Sequence, residues 1–227
     1  MTNVPDDIFI ENFKKIGNST NNIHVVENFL SDQELSVLYN EAITDIYDKS
    51  IAGAWSERIS DDKLISKESR SILKSAHTRI LNLAKNIYGV DLEFLAPDEG
   101  QSIVKWPTGC SMEEHIDDFA YFHYHIASLI YINDNYEGGE IRFPDHDFTI
   151  KPKGGTLVMF PGNKNYAHQV LEVTSGERYS SALWLKFVGS SFVGDGRALG
   201  LTDIKDWKNI NWEENIEDWR KNENKDN

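Results

Sequence analysis

The stretch Ala167-His168-Gln169-Val170-Leu171-Glu172-Val173-Thr174-Ser175-Gly176-Glu177-Arg178-Tyr179-Ser180 reads as a strand over Ala167 to Leu171, a Ser175-Gly176 turn and the start of a second strand at Tyr179, since β-branched and aromatic residues favour strands and Gly punctuates them. Working outward, further strand signals cover Ile126 to Ile132, Glu140 to Phe143, Phe148 to Lys151, Thr156 to Phe160 and Tyr179 to Val188. Polar turns separate them: Asn133-Asp134-Asn135, Glu137-Gly138-Gly139, Pro144-Asp145, Lys153-Gly154-Gly155 and Pro161-Gly162-Asn163. Before this region Val90, Leu92 and Phe94 alternate with polar residues, and Ile103, Val104 and Trp106 continue in an extended style. Many short strands after helices predict a mainly β fold in which a two-sheet core is backed by supporting helices.

The helices lie upstream. Ser31 followed by Glu34 is a capping box, and a helix is expected from about Asp32 to Tyr47 with Leu35, Leu38, Ala42 and Ile46 on its buried face. A second helix is expected from roughly Lys67 to Tyr88, closed by Gly89, with His77 as a structural or surface histidine. His24-Val25-Val26-Glu27 reads as a short strand. The expected organisation is a loose N-terminal segment at 1–22, a single domain at 23–188, and an extension at 189–227 that carries Trp207, Trp212 and Trp219 and ends in a polar tail.

A chain of 227 residues buries a sizeable core, and a formal charge of −14 argues against nucleic acid as a partner. One cysteine, Cys110, excludes an internal disulfide and a Cys-rich zinc site, and suits a reducing compartment. The first residues lack a basic n-region and no apolar run approaches a membrane span, so a soluble, cytoplasmic protein without membrane association is expected.

The chemistry starts from His115-Ile116-Asp117. In an extended segment the imidazole of His115 and the carboxylate of Asp117 project to one side and can share a metal ion. His-any-Asp is common by chance. Its order, ahead of a β-rich stretch with His168 and then Gly176-Glu177-Arg178-Tyr179-Ser180, argues for one site. Two histidines and a carboxylate leave coordination positions open on a non-haem Fe(II), which makes an oxygen-using enzyme the expectation. Arg178 and Ser180 share a strand face, so guanidinium and hydroxyl can grip one carboxylate as a co-substrate pocket. His123, His125 and Asp145-His146-Asp147 are competing ligands ranked lower, the last because a hairpin turn is polar anyway. Phe119, Tyr121, Phe122 and Tyr124, directly after the metal triplet, are candidate substrate contacts able to stack on a proline ring or peptide, with packing as the rival reading.

Ile103-Val104-Lys105-Trp106-Pro107, His115-Ile116-Asp117, Leu129-Ile130-Tyr131-Ile132-Asn133, Gly138-Gly139-Glu140, Lys151-Pro152 through Phe160, and His168-Gln169-Val170 through Ser180 resemble the prolyl 4-hydroxylase branch of the Fe(II)- and 2-oxoglutarate-dependent dioxygenases, of bacterial or phage type. The resemblance covers roughly Val25 to Val188. It implies a double-stranded β-helix (jelly-roll or cupin-like) core, with His115, Asp117 and His168 as iron ligands, Arg178 on the far carboxylate of 2-oxoglutarate, and Tyr131 bonded to that carboxylate. The family often has a tyrosine where this chain has Trp106, a further candidate contact whose indole donates but cannot accept a hydrogen bond. The implied reaction uses Fe(II), 2-oxoglutarate and O2, with ascorbate as a candidate reductant, and hydroxylates an aliphatic C–H while releasing succinate and CO2. A proline-containing peptide or protein is the first substrate reading. A free amino acid or other small molecule is the second, and a non-catalytic metal- or carbohydrate-binding β-sandwich the third. Oligomeric state is left open.

Overall fold

The computed structural model describes residues 7–51, 53–94, 102–117 and 124–190. In chain order the elements are helix α1 (Asp7–Ile16), strand β1 (His24–Val26), helices α2 (Asp32–Ala42) and α3 (Lys67–Tyr88), and strands β2 (Leu92–Phe94), β3 (Val104–Pro107), β4 (Met112–His115), β5 (Ile126–Tyr131), β6 (Glu137–Gly138), β7 (Ile141–Phe143), β8 (Phe148–Ile150), β9 (Leu157–Pro161), β10 (His168–Val170), β11 (Val173–Ser175) and β12 (Glu177–Phe187). The major sheet runs β1-β9-β5-β12-β2, with β3 also paired to β12. A four-stranded sheet, β4-β10-β7-β8, faces it, and β6 pairs with β11. All these pairings are antiparallel.

The major sheet is apolar on both faces, and strand alternation decides which residue serves which side. Leu157 and Met159 join α2 and α3 in one core, together with Ile126, Ile130, Leu183, Leu185 and Phe187. Their neighbours Val158 and Phe160 turn the other way, to meet Ala127, Tyr131, Ile141 and Phe143 between the sheets. That is why Leu157-Val158-Met159-Phe160 reads as a continuous apolar run rather than an alternating one.

The capping box at the start of α2 is formed: the Ser31 hydroxyl accepts from the Glu34 N–H at 3.3 Å, and the Glu34 carboxylate accepts from the Ser31 N–H at 2.8 Å. The helix ends at Ala42 rather than near Tyr47. The chain folds back there, so that the Tyr47 hydroxyl donates to the Ala42 carbonyl at 2.6 Å and Tyr47 bridges to Ser60. The expected loose N-terminal segment is helical from Asp7 to Ile16. Phe9, Phe13 and Ile16, at helical spacing, give it a packing face. Phe13 meets Phe187 edge-on at 4.9 Å, Phe9 and Phe13 stand edge-on to His125, and His125 stacks on Phe187. Strands β4, β6 and β11 were not anticipated. Glu137-Gly138 reads as a turn, yet it pairs with β11 because Gly138 lets the Glu172 carbonyl approach where a Cβ would lie 2.0 Å from that oxygen. Trp207, Trp212 and Trp219 lie outside the described residues.

His77 is structural. It is 4% exposed on the packed face of α3 and its Nε2 has no hydrogen-bond partner. Burial depresses its pKa to about 4. Because the folded value lies below that of the unfolded chain, the unfolded state takes up the proton first as pH falls. Stability present above about pH 6.5 is therefore lost towards pH 4, by up to about 3 kcal/mol. Denaturant unfolding at pH 5.0 and 7.5 should show a larger drop for the native chain than for His77→Leu; equal drops would contradict this account.

Candidate metal centre and anion pocket

β4 and β10 set His115 directly opposite His168 in their antiparallel pairing, with ring centroids 4.3 Å apart. Each imidazole turns its Nδ1 to a main-chain carbonyl two residues back, His115 to Glu113 at 2.8 Å and His168 to Tyr166 at 3.1 Å. A carbonyl only accepts, so each Nδ1 carries the proton and each Nε2 keeps its lone pair for a ligand. The Asp117 carboxylate lies between them, its two oxygens each 3.8 Å from one Nε2. That is too long for a hydrogen bond. It fits donors that share one cation at about 2.1 Å, which stand roughly 3–4 Å apart. The ligand atoms of the three residues all lie within 4.8 Å of one another, forming the metal-competent cluster found among the described residues.

Burial among Phe143 and Phe160 pushes the His168 pKa down to about 4, against the opposing pull of Asp117, so the ring is neutral at pH 7 and able to ligate. Close packing carries the turn past Asp117. A Cβ on Gly162 would stand 1.9 Å from the Tyr124 carbonyl oxygen and 3.4 Å from the Asp117 Cβ, so only glycine lets the Pro161-Gly162 turn approach.

A cavity of about 470 Å³ extends from His115, Asp117 and His168 to Arg178 and Ser180 on β12. Arg178 is 1% exposed. Its Nη2 donates to the Tyr131 hydroxyl at 3.1 Å, while Nε and Nη1 have no partner. The guanidinium lies against the rings of Tyr131 and Trp106, 4.8 and 4.9 Å from their centroids. Burying an ionised group costs several kcal/mol unless it is paired, so this guanidinium, with the Tyr131 and Tyr136 hydroxyls around it, is a candidate partner for an anion in the cavity. Gly139 makes room for this side chain, because a Cβ there would come within 3.3 Å of the Arg178 Cδ and 3.1 Å of the Tyr136 ring. Burial raises the Tyr136 hydroxyl well above its usual range, with Arg178 opposing through its charge and a hydrogen bond that the hydroxyl accepts, so the phenol stays neutral.

Of the sequence candidates, His115, Asp117, His168, Arg178, Ser180, Trp106 and Tyr124 all line this cavity, and Tyr131 holds Arg178. Phe119, Tyr121, Phe122 and His123 lie outside the described residues. The competing histidines are engaged elsewhere. His125 accepts the Phe187 N–H at 2.8 Å, and His146 bonds Thr20 and the Asn165 carbonyl at 3.0 and 2.8 Å. Sequence reasoning did not single out Trp55, Leu129 or Trp184 as lining residues. Alternation along β12 was the available signal for Trp184, since it shares the face of Arg178, Ser180 and Ala182. Tyr124 stacks on Trp184 with centroids 4.5 Å apart and planes at 17°.

Residues 102–186 match the family described as the 2OG-Fe(II) oxygenase superfamily. The matched residues, under half of the chain, are similar to a 2OG-Fe(II) oxygenase domain, and the antiparallel sheets form the double-stranded β-helix core of that group. Among solved structures it is similar to the viral collagen prolyl hydroxylase of Paramecium Bursaria Chlorella virus-1 in a 2OG complex, at TM-score 0.56 and 22% identity over 74% of this chain and 96% of that one. It is also similar to a prolyl hydroxylase of Trichoplax adhaerens in complex with a hypoxia inducible factor oxygen degradation domain peptide fragment, at TM-score 0.55 and 17% identity over 81% of this chain and 88% of that one. In sequence it is 40% identical to human prolyl 3-hydroxylase 2 over 63 residues, which span 26% of this chain and 9% of that protein.

If the three side chains share one cation, His115→Ala, Asp117→Ala and His168→Ala should each lower Mn(II) affinity by at least about a hundredfold, since even outer partners of ligands cost 10–100-fold. Calorimetric titration checks this, with circular dichroism to show that the fold is kept. A His168→Ala protein with native affinity would remove that residue from the site.

Proposed function

We propose that this chain is an Fe(II)- and 2-oxoglutarate-dependent dioxygenase that hydroxylates an aliphatic C–H, with proline in a peptide or protein as its substrate. The observation that carries the reading is Arg178: a guanidinium at 1% exposure, with Nε and Nη1 unsatisfied, in the same cavity as two lone-pair-bearing imidazoles and a carboxylate. A metal site alone does not need a buried cation beside it, and a co-substrate carrying a second carboxylate does.

Within this reading His115, Asp117 and His168 would hold Fe(II), a ligand set of two histidines and one carboxylate suited to it. Fe(II) supplies the redox chemistry by which O2 converts 2-oxoglutarate to succinate and CO2 and one oxygen atom enters the substrate C–H bond. Arg178 takes the far carboxylate through its planar fork, Tyr131 fixes the angle of that fork, and Ser180 offers a hydroxyl on the same strand face. The apolar walls from Leu129, Val170 and Ala182 exclude water around the co-substrate. Tyr124 and Trp184, stacked at the same cavity, present the flat apolar surface that a proline ring packs against. Ascorbate is the proposed reductant for restoring Fe(II). No helix among the described residues is long and apolar enough to cross a membrane, and the single cysteine suits a reducing, cytoplasmic setting.

Two measurements test this. Succinate formation by the Fe(II)-loaded protein should rise with proline-containing peptides, which gain one oxygen atom by mass spectrometry. Equal stimulation by free amino acids would move the assignment to a small-molecule hydroxylase. In calorimetry on Mn(II)-loaded protein, Arg178→Ala should weaken 2-oxoglutarate by roughly 30- to several-thousand-fold, the equivalent of about 2–5 kcal/mol. Arg178→Lys should recover part of it, since an ammonium lacks the fork. Unchanged affinity in Arg178→Ala would remove the pocket assignment.

A further inference from the structure

The turn Asn133-Asp134-Asn135 carries amides that neither the metal centre nor the cavity uses. Main-chain pairing of β5 with β12 runs from Ile126 opposite Leu185 to Tyr131 opposite Ser180, and one further bond follows, from the Ile132 N–H to the Tyr179 carbonyl at 2.9 Å. The chain then turns away, just short of Arg178. From there the Asn133 side chain takes over the ladder. Its Oδ1 accepts from the Tyr179 N–H at 2.7 Å, and its Nδ2 donates to the Glu177 carbonyl at 2.7 Å. These two main-chain groups flank Arg178 on the β5 edge of the strand, while β3 pairs with residues 177–180 on the other edge. Nδ2 also donates to Asn135 Oδ1 at 2.6 Å, and Asn135 Nδ2 donates to the Tyr39 hydroxyl at 3.0 Å. Asn133 is 6% exposed and lines a groove against α2 rather than the cavity.

We propose that Asn133 is a positioning residue for Arg178: one carboxamide replaces the missing strand partner and fixes the main chain from which the guanidinium projects. The inference rests on the 2-oxoglutarate reading and deepens it. The Tyr179 N–H only donates and the Glu177 carbonyl only accepts, so whatever bridges them must present an acceptor and a donor together. A primary amide does so in one plane, and these two partners of opposite polarity fix which of its atoms is oxygen. Arg178 is the second residue of β12, and residues 174–177 before it are exposed. A strand end of that kind is where pairing opens first. With the amide removed, Glu177 and Tyr179 would each lose their partner on the β5 edge, and Arg178 between them would be held by β3 alone. Asn133 thus acts on the co-substrate pocket from outside it, through the backbone on either side of Arg178.

The test separates position from metal binding and from general stability. In calorimetry on Mn(II)-loaded protein, Asn133→Ala should bind 2-oxoglutarate about tenfold more weakly, the scale of one or two lost hydrogen bonds, with Mn(II) affinity native. In an Arg178→Ala background the same substitution should cost less than about twofold, because a residue that acts through Arg178 has no separate effect once that side chain is gone. Hydrogen exchange in 15N-labelled protein gives a readout independent of ligand: the Tyr179 amide should exchange faster in Asn133→Ala, while the Leu185 amide, further along the same strand, keeps its native rate. Asn133→Asp keeps the shape but sets an oxygen against the Glu177 carbonyl. It should also lose 2-oxoglutarate affinity, and it gives a second route if the Ala variant does not fold. Native 2-oxoglutarate affinity in a folded Asn133 variant, a parallel fall in Mn(II) affinity, or an equal loss in the Arg178→Ala background would overturn the proposal and leave the Arg178 reading standing. Native affinity in Arg178→Ala itself would overturn both.

Discussion

The site depends on the register of β12. This strand pairs with β3 on one side and β5 on the other, and Ser180 is the partner of both Val104 and Tyr131. Side chains alternate along it: Tyr179, Leu183, Leu185 and Phe187 enter the core shared with the helices, while Arg178, Ser180, Ala182 and Trp184 face the cavity. A slip of one residue would drive Arg178 into the helix-side core and turn Leu183 to the cavity. The helix-side core therefore fixes the chemistry on the opposite face. Hydrophobic burial is non-directional, but on a pleated strand it has two outcomes, and here one of them places a guanidinium in the same cavity as His115, Asp117 and His168.

A cation held at this depth is costly, and the surrounding structure offsets part of that cost in specific ways. Tyr131 accepts one N–H, and the faces of Tyr131 and Trp106 supply cation–π contact. The remainder stays unsatisfied. Gly139 is the matching concession in the backbone, a left-handed residue whose missing Cβ gives Arg178 its passage. The metal end follows similar logic. Main-chain carbonyls at Glu113 and Tyr166 select the tautomer of each histidine before any ion arrives. Both ends of the cavity are thus arranged in advance, which reduces the ordering cost of binding.

Much of this was legible in the sequence, for a physical reason. Apolar runs report burial, so the long strands, α3 and the capping box of α2 could be read directly, and the period of two put Arg178 and Ser180 on one face. The order His115, Asp117, His168, Arg178 carried the resemblance that implied the core. Less was legible where structure comes from tertiary contact. Met112-Glu113-Glu114-His115 has no apolar alternation, and it becomes a strand because β10 offers a pairing edge. Glu137-Gly138 carries turn residues that serve close backbone approach. The end of α2 is set by a hydroxyl five residues further on, and α1 by its fit against His125 and Phe187. The Trp55, Arg58 and Trp106 stack joins residues from separate segments, with no local spacing to announce it.

The central claim is that one cavity holds a cation at His115, Asp117 and His168 and a dicarboxylate that reaches from that cation to Arg178. Anomalous diffraction from crystals grown with Mn(II) and 2-oxoglutarate tests it most directly. The account predicts one manganese peak within coordination distance of Nε2 of both histidines and an oxygen of Asp117, with continuous ligand density ending in a carboxylate on the Arg178 fork. A manganese peak elsewhere, or ligand density that leaves Arg178 Nε and Nη1 unpaired, would contradict it.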